Sequence, residues 1–172
     1  MPVSPKLRYQ SHKEPFHIVL VEPEIPPNTG AIARTCAATQ TVLHLVGPLG
    51  FRIDDQAVRR AGLDYWHLVN MQRHDSFEQF LECNPDRPLH FLSAGARKSY
   101  LQANFQAGDV LVFGKESVGL PDTLLTRYPE QCIAIPTLSG GVSSLNLSNA
   151  AALVLYEALR VTGQLETLSL SE

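Results

Sequence analysis

The sequence predicts an α/β domain, a mostly parallel sheet with helices on both faces. Three observations carry that prediction. Short apolar, β-rich runs alternate with helical patterns from residue 17 onward, the signature of strand and helix in turn. The runs are apolar enough to be buried on both faces, as strands of a parallel sheet are. The loops after them are crowded with glycine, proline and small hydroxyl residues, and open α/β sheets gather ligands at the loops beyond the carboxyl ends of their strands.

Taken in order, residues 1–16 are polar, hold three prolines and lack periodicity, so they read as a flexible arm, with Lys6, Arg8 and Lys13 available to an anion. The strand candidates are "HIVLVE", "TVLHLVG", a weaker "HLVNM", "LHFLSAG", "DVLVFG" and "QCIAIP". Between them lie the helix candidates "NTGAIARTCAATQ", "DDQAVRRAGL", "DSFEQFLEC" and "PDTLLTRY". In the third, Asp75 stands three residues before Glu78 as a capping-box variant, and Phe77, Phe80 and Leu81 form an apolar face. Residues 139–160, "SGGVSSLNLSNAAALVLYEALR", pass from a polar mouth into a strongly helical apolar stretch. The domain is expected over residues 17–163, with 164–172 as a tail.

Composition narrows the function classes. At 172 residues the chain has the size of one domain, and 44% hydrophobic with 18% charged residues is a globular balance. A net charge of -3 excludes a basic domain that binds nucleic acid everywhere on its surface, while leaving room for a local patch. The longest apolar run, residues 150–156, is seven residues long, far short of the ~20 a membrane span needs, and the N-terminus lacks the apolar centre of a signal peptide. A cytoplasmic protein is expected. Cys36, Cys83 and Cys132 are widely separated and no H-E-x-x-H occurs, so no metal site is expected and the cysteines read as packed hydrophobes. His44 and His90, inside apolar strands, read as structural.

Four loops stand out: "EPEIPPNTG", "LSAGARKS", "FGKESVGLP" and "IPTLSGGVSSLN". They are not dinucleotide loops, since the chain has no G-x-G, nor a phosphate loop, since Leu120 and Pro121 follow "GKESVG" where Lys and Ser or Thr are required. Together "NTGAIAR", "FGKESVGLP" and "SSLNLSNAA" resemble the three motifs of the SPOUT class of S-adenosyl-L-methionine-dependent RNA methyltransferases. With "EPEIPPNTG", "RRAGLDY" and "LNLSNA", the resemblance narrows to the YibK-like (TrmL) enzymes, which methylate the ribose 2′-hydroxyl of the wobble nucleotide, cytidine or uridine, of tRNA. It covers the chain from His17 to about Gly163.

The resemblance implies a C-terminal trefoil knot, S-adenosyl-L-methionine held by Leu92, Ser93, Gly114, Ile135, Ser144 and Leu145, and chemistry by Asn28, Arg34, Glu116, Ser144 and Asn146. It also implies tRNA as partner and a homodimer through the C-terminal helix. Asn28, Ser144 and Asn146 also sit where helix caps are expected. The resemblance makes Arg34 the base; since arginine keeps its proton at a pKa above 12, the physical reading gives it phosphate binding and stabilisation of the developing alkoxide. Val118 and Val142 stand where relatives commonly carry arginine, so the candidate basic patch is Arg52, Arg59, Arg60, Arg97 and Lys98. The last helix is apolar over most of its circumference, with Leu147, Ala151, Val154, Ala158 and Val161 on one face and Ala152, Leu155, Tyr156 and Leu159 on another, which calls for burial on more than one side. The alternative reading is a non-catalytic RNA-binding or assembly protein that keeps the fold.

Overall fold

The structure is a computed structural model that describes residues 4–11, 13–53 and 65–171. The helix expected over residues 54–63, with Arg59 and Arg60 of the basic patch, lies outside them. The first strand, β1 (Lys6–Tyr9), stands apart from the main sheet. That sheet consists of β2 (His17–Val21), β3 (Val42–Val46), β4 (Met71–His74), β5 (Leu89–Leu92), β6 (Val110–Phe113) and β7 (Cys132–Ile133), all parallel, in the spatial order β4, β3, β2, β6, β5, β7. Helices α1 (Pro26–Thr39), α2 (Phe77–Cys83), α3 (Asp122–Arg127) and α4 (Leu147–Val161) connect or follow them, and β8 (Leu168–Ser171) closes the described chain.

Side-chain alternation divides the strands between two cores, as a period of two requires. Ile18, Leu20, Leu43, Leu45, Leu111 and Phe113 pack with Ile32, Cys36, Val154 and Leu155 under α1 and α4. Val19, Val21, Val46, Phe91, Val110 and Val112 face the other way, onto Phe77 and Phe80 of α2 and Leu124 of α3. Both faces are covered, which is why the strand runs are almost continuously apolar.

The exception is β4. The expected strand "HLVNM" is displaced: His67 and Leu68 lie in a 3-10 turn, Trp66–Leu68, and the strand is "MQRH". As an edge strand with its centre exposed, it needs no apolar run. The cap of α2 also differs from expectation. Ser76 accepts from the Gln79 amide, and the Gln79 side chain accepts from the Asp75 amide, so the box is one residue further on than Asp75 and Glu78.

At the other edge β7 is only two residues long, yet its extension is held on both sides. The Ser93 amide donates to the Ile133 carbonyl, the Ala134 amide donates to Lys98, and the Tyr100 amide donates to Ala134. The segments outside the expected domain also pair. β1 and β8 form an antiparallel ribbon with Leu7 opposite Leu170 and Tyr9 opposite Leu168. Ser11 donates to Gln164, and the Lys13 ammonium donates to the Thr162 carbonyl.

Three buried histidines cross the sheet under Phe80. The His17 Nδ1 lies 2.8 Å from His44 Nε2, and His44 Nδ1 lies 2.9 Å from His74 Nε2. Each pair shares one proton, so the row is satisfied with all three rings neutral. Burial, reinforced by Arg87 and opposed by Glu14, lowers His17 to about 4. Burial together with the flanking His17, His74 and Arg87 lowers His44 to about 3, and burial lowers His74. His90, also expected to be structural, meets the buried Asp109 carboxylate at 2.7 Å.

Below the ordinary histidine value of 6.5 the unfolded chain takes up protons that the folded row refuses. Stability contributed by the row is therefore full above pH 6.5 and is lost as pH falls through the range down to about 4 for His17 and about 3 for His44. The expected slope is up to about 1.4 kcal/mol per pH unit for each histidine. Urea unfolding at pH 8, 6 and 5 reads it, and a flat profile would contradict the account.

Candidate active site

The order of the sheet turns around between β2 and β6, and the loops that leave these two strands build the site. Helix α1 begins at Pro26 and Pro27, which have no N–H to leave unsatisfied, and its N-cap, Ile25, has no capping side chain. The missing acceptor comes from the loop after β6. Glu116 Oε2 accepts from the Glu24 amide at 2.8 Å, while its Oε1 accepts from the Ile25 amide at 3.1 Å and from Asn28 Nδ2 at 3.2 Å. Glu24 answers in the opposite direction: its carboxylate accepts from the Ser117 amide and hydroxyl, both at 3.0 Å. Lys115 meets Glu22 at 3.1 Å beside them.

Asn28 is therefore the third residue of α1 rather than its cap, because the prolines start the helix two residues earlier. Its amide is oriented by two neighbours: the nitrogen donates to Glu116 and the oxygen accepts from Asn146 Nδ2 at 3.0 Å. Asn146 is the N-cap of α4, its oxygen accepting from the Ser148 amide at 2.9 Å and the Asn149 amide at 3.3 Å. A one-way chain of hydrogen bonds thus runs from Asn146 through Asn28 to Glu116. Partial burial pushes the Glu116 carboxyl up, but the hydrogen bonds from Glu24, Asn28 and Ile25 outweigh it and hold it below its ordinary value.

This chain lies on the rim of a cleft of about 520 Å³ lined by all four unusual loops. Asn28, Leu92, Ser93, Gly114, Glu116, Ile135, Ser144, Leu145 and Asn146 all line it. Gly114 is buried where its loop doubles back: a Cβ there would fall 2.0 Å from the Gly119 carbonyl carbon and 2.1 Å from the Leu120 nitrogen. The volume lies in the usual range of small-molecule sites, about 300 to 1,000 Å³. Apolar walls at Leu92, Ile135, Leu145 and Leu147 beside exposed loop backbone suit a ligand with an aromatic base and polar edges, so the residues fit an adenosyl group.

Arg34 is the one expected site residue that does not line this cleft. It stands exposed on α1, with its guanidinium carbon 5.3 Å from the centre of the Tyr65 ring. Tyr65, Glu22, Glu24, Lys115 and Ser117 were not singled out from the sequence; Tyr65 closes the motif "RRAGLDY" and Glu24 lies within "EPEIPPNTG". Of the expected basic patch, Arg97 and Lys98 line a second cleft that shares Ser93, Gly95 and Leu125 with the first. Val118 and Val142 are 75% and 73% exposed. Among the described residues no group of three or more His, Cys, Asp or Glu could hold a metal, and no helix is long and apolar enough to cross a membrane.

Replacing Glu116 with Gln keeps the shape but removes the charge and turns one of the two accepting oxygens into an NH2 that faces an N–H donor. The expected cost is about 1 kcal/mol at pH 7, read by urea unfolding. Since folding lowers the carboxyl's pKa, this contribution is full above its ordinary 4.5 and is lost as pH falls through the folded value. The difference between wild type and Glu116→Gln should therefore close in acid; a gap that persists would contradict the role given to the charge.

Comparison with known proteins places the chain in a family. Residues 15–156 match the SpoU rRNA Methylase family. The tRNA (cytidine(34)-2'-O)-methyltransferase of Methylovorus glucosotrophus is 47% identical over 146 residues, covering 84% of this chain and 94% of that protein. A solved structure described as "Structural insights into the 2-OH methylation of C/U34 on tRNA" superposes with a TM-score of 0.80 at 45% identity, over 87% of this chain and 98% of that one. The methyltransferase AviRb of Streptomyces viridochromogenes, solved in complex with AdoMet, shares the fold at a TM-score of 0.74 and 23% identity, over 88% of this chain and 62% of that one. With most of its length matched and the sheet, loops and cleft in place, the chain belongs to the SpoU methylase family, within the SPOUT class.

Proposed function

We propose that the protein methylates the ribose 2′-hydroxyl of the wobble nucleotide, cytidine or uridine, in tRNA anticodon loops, using S-adenosyl-L-methionine. The observation that carries this reading is the hydrogen-bonded chain Asn146, Asn28, Glu116, which draws three separate sequence motifs to the rim of one cleft. The bound cofactor would supply an electrophilic methyl on a sulfonium, so no metal is needed. Leu92, Ile135 and Leu145 offer the adenine its apolar walls, while backbone at Ser93 and Gly114 and the Ser144 hydroxyl offer polar contacts. Glu116, Asn28 and Asn146 hold the two loops and the α4 start in one arrangement, so that alignment is settled before substrate arrives. Arg34, exposed and permanently charged, binds substrate phosphate and stabilises the developing alkoxide while the hydroxyl proton passes to solvent water; the ribose O–CH3 bond would form as the donor's S–CH3 bond breaks, leaving a neutral thioether. A tRNA substrate carries a cytoplasmic location with it.

The protein is further read as a homodimer through α4. Both apolar faces contribute to the chain's own core: Ala151, Val154 and Ala158 from one, Leu155 and Leu159 from the other. What remains outside is Leu153, Tyr156 and Val161, 41%, 44% and 45% exposed, with the polar Asn149 and Arg160 beside them. Sedimentation at micromolar concentration should give twice the chain mass; a monomer would contradict the dimer.

Incubation with radiolabelled S-adenosyl-L-methionine and total tRNA, followed by nucleoside mapping, is expected to place one methyl on a wobble ribose. Arg34→Lys should lower turnover at least tenfold, because an ammonium lacks the planar fork of donors. Cofactor binding without transfer to any tRNA would favour the assembly reading, and normal turnover of Arg34→Lys across pH would remove the guanidinium from the mechanism.

A further inference from the structure

We propose that Tyr65 is the positioning residue for Arg34, holding the guanidinium by its face so that its N–H edge is presented to RNA phosphate or ribose. The inference rests on the role given to Arg34 above. Two contacts support it. The Tyr65 ring lies under the guanidinium at 5.3 Å, within the reach of a cation–π contact. Its hydroxyl donates to the Gly30 carbonyl at 2.9 Å, four residues before Arg34 and therefore the same carbonyl that the α-helical ladder pairs with the Arg34 amide. The ring is thus tied to the backbone turn from which the arginine projects.

The geometry suits catalysis because of what a cation–π contact leaves free. A guanidinium held over a ring spends none of its five N–H donors on a carboxylate, so they stay available to substrate. Among the described residues no carboxylate pairs with Arg34, so none of them takes up its charge. Much of the side chain's rotamer freedom is removed before substrate binds, which is the way preorganised groups contribute to rate. Burial raises the Tyr65 phenol against the opposing pull of Arg34, so its hydroxyl stays a donor to Gly30.

The test is a cycle of Tyr65→Leu, Tyr65→Phe and Arg34→Ala, with kcat and KM for tRNA measured from steady-state rates, cofactor affinity by calorimetry, and Tm. Tyr65→Leu is expected to lower kcat about tenfold with cofactor affinity and Tm nearly unchanged. Tyr65→Phe, which keeps the ring, should restore kcat to within about threefold. In the Arg34→Ala background, Tyr65→Leu should cost nothing further. Equal losses in both backgrounds, or full activity of Tyr65→Leu beside an impaired Arg34→Ala, would overturn the proposal while leaving Arg34 in its role. Full activity of Arg34→Ala would instead remove the role of Arg34 itself. Should Tyr65→Leu fail to fold, Tyr65→Met takes its place, with the same outcomes deciding.

Discussion

The Glu116 carboxylate at the start of α1 is the contact on which the cleft depends. Two strands that lie side by side, β2 and β6, send their loops in different directions, and a gap opens where they part. Left alone, that gap would expose the amides that precede a helix starting on two prolines. A carboxylate from the opposite loop satisfies them, and it does so at the positive end of the helix dipole. Glu24 returns the favour to Ser117. The two loops are therefore not merely adjacent; each terminates the other's backbone. Once they are joined, Asn28 has only one way to orient its amide, and Asn146 follows from Asn28.

This explains why so polar a mouth precedes the most apolar helix. Asn146 caps α4 with its oxygen and reaches Asn28 with its nitrogen, so a single side chain both starts a core helix and completes the site. Ser144 stays exposed on the cleft, uncommitted to the cap.

Much of this was legible in the sequence, and what was not had identifiable causes. The central strands announced themselves because both faces are buried. β4 did not, because an edge strand with a solvent-facing centre can be written "MQRH". The ligand-facing loops were visible through their glycines, serines and prolines, and the residues matched by motif do line one cleft, Arg34 excepted. The pairing of Glu116 with Asn28 was hidden, since the two are 88 residues apart and neither carries a local signal of the other. Asn28 read as a cap because Asn before an Ala-rich helix commonly is one; the prolines ahead of it moved the helix start. Tyr65 lay in a quoted motif, but a lone tyrosine at a loop end reads as packing until the arginine above it is seen. The His17, His44, His74 row was likewise invisible, because its members come from three strands and only the sheet order brings them together.

The ordering of the walls along the chain has a consequence for biosynthesis. The cleft's last side comes from residues 143–147 and 150, and β8, which fastens the N-terminal strand, follows them in the chain. A ribosome-bound chain can assemble β2, β3 and α1 early, yet it has no complete cleft until α4 has cleared the exit tunnel. The protein therefore comes into being as a scaffold first and as a cleft later, and a chain cut before residue 143 would carry the early strands and α1 without one wall of the cleft.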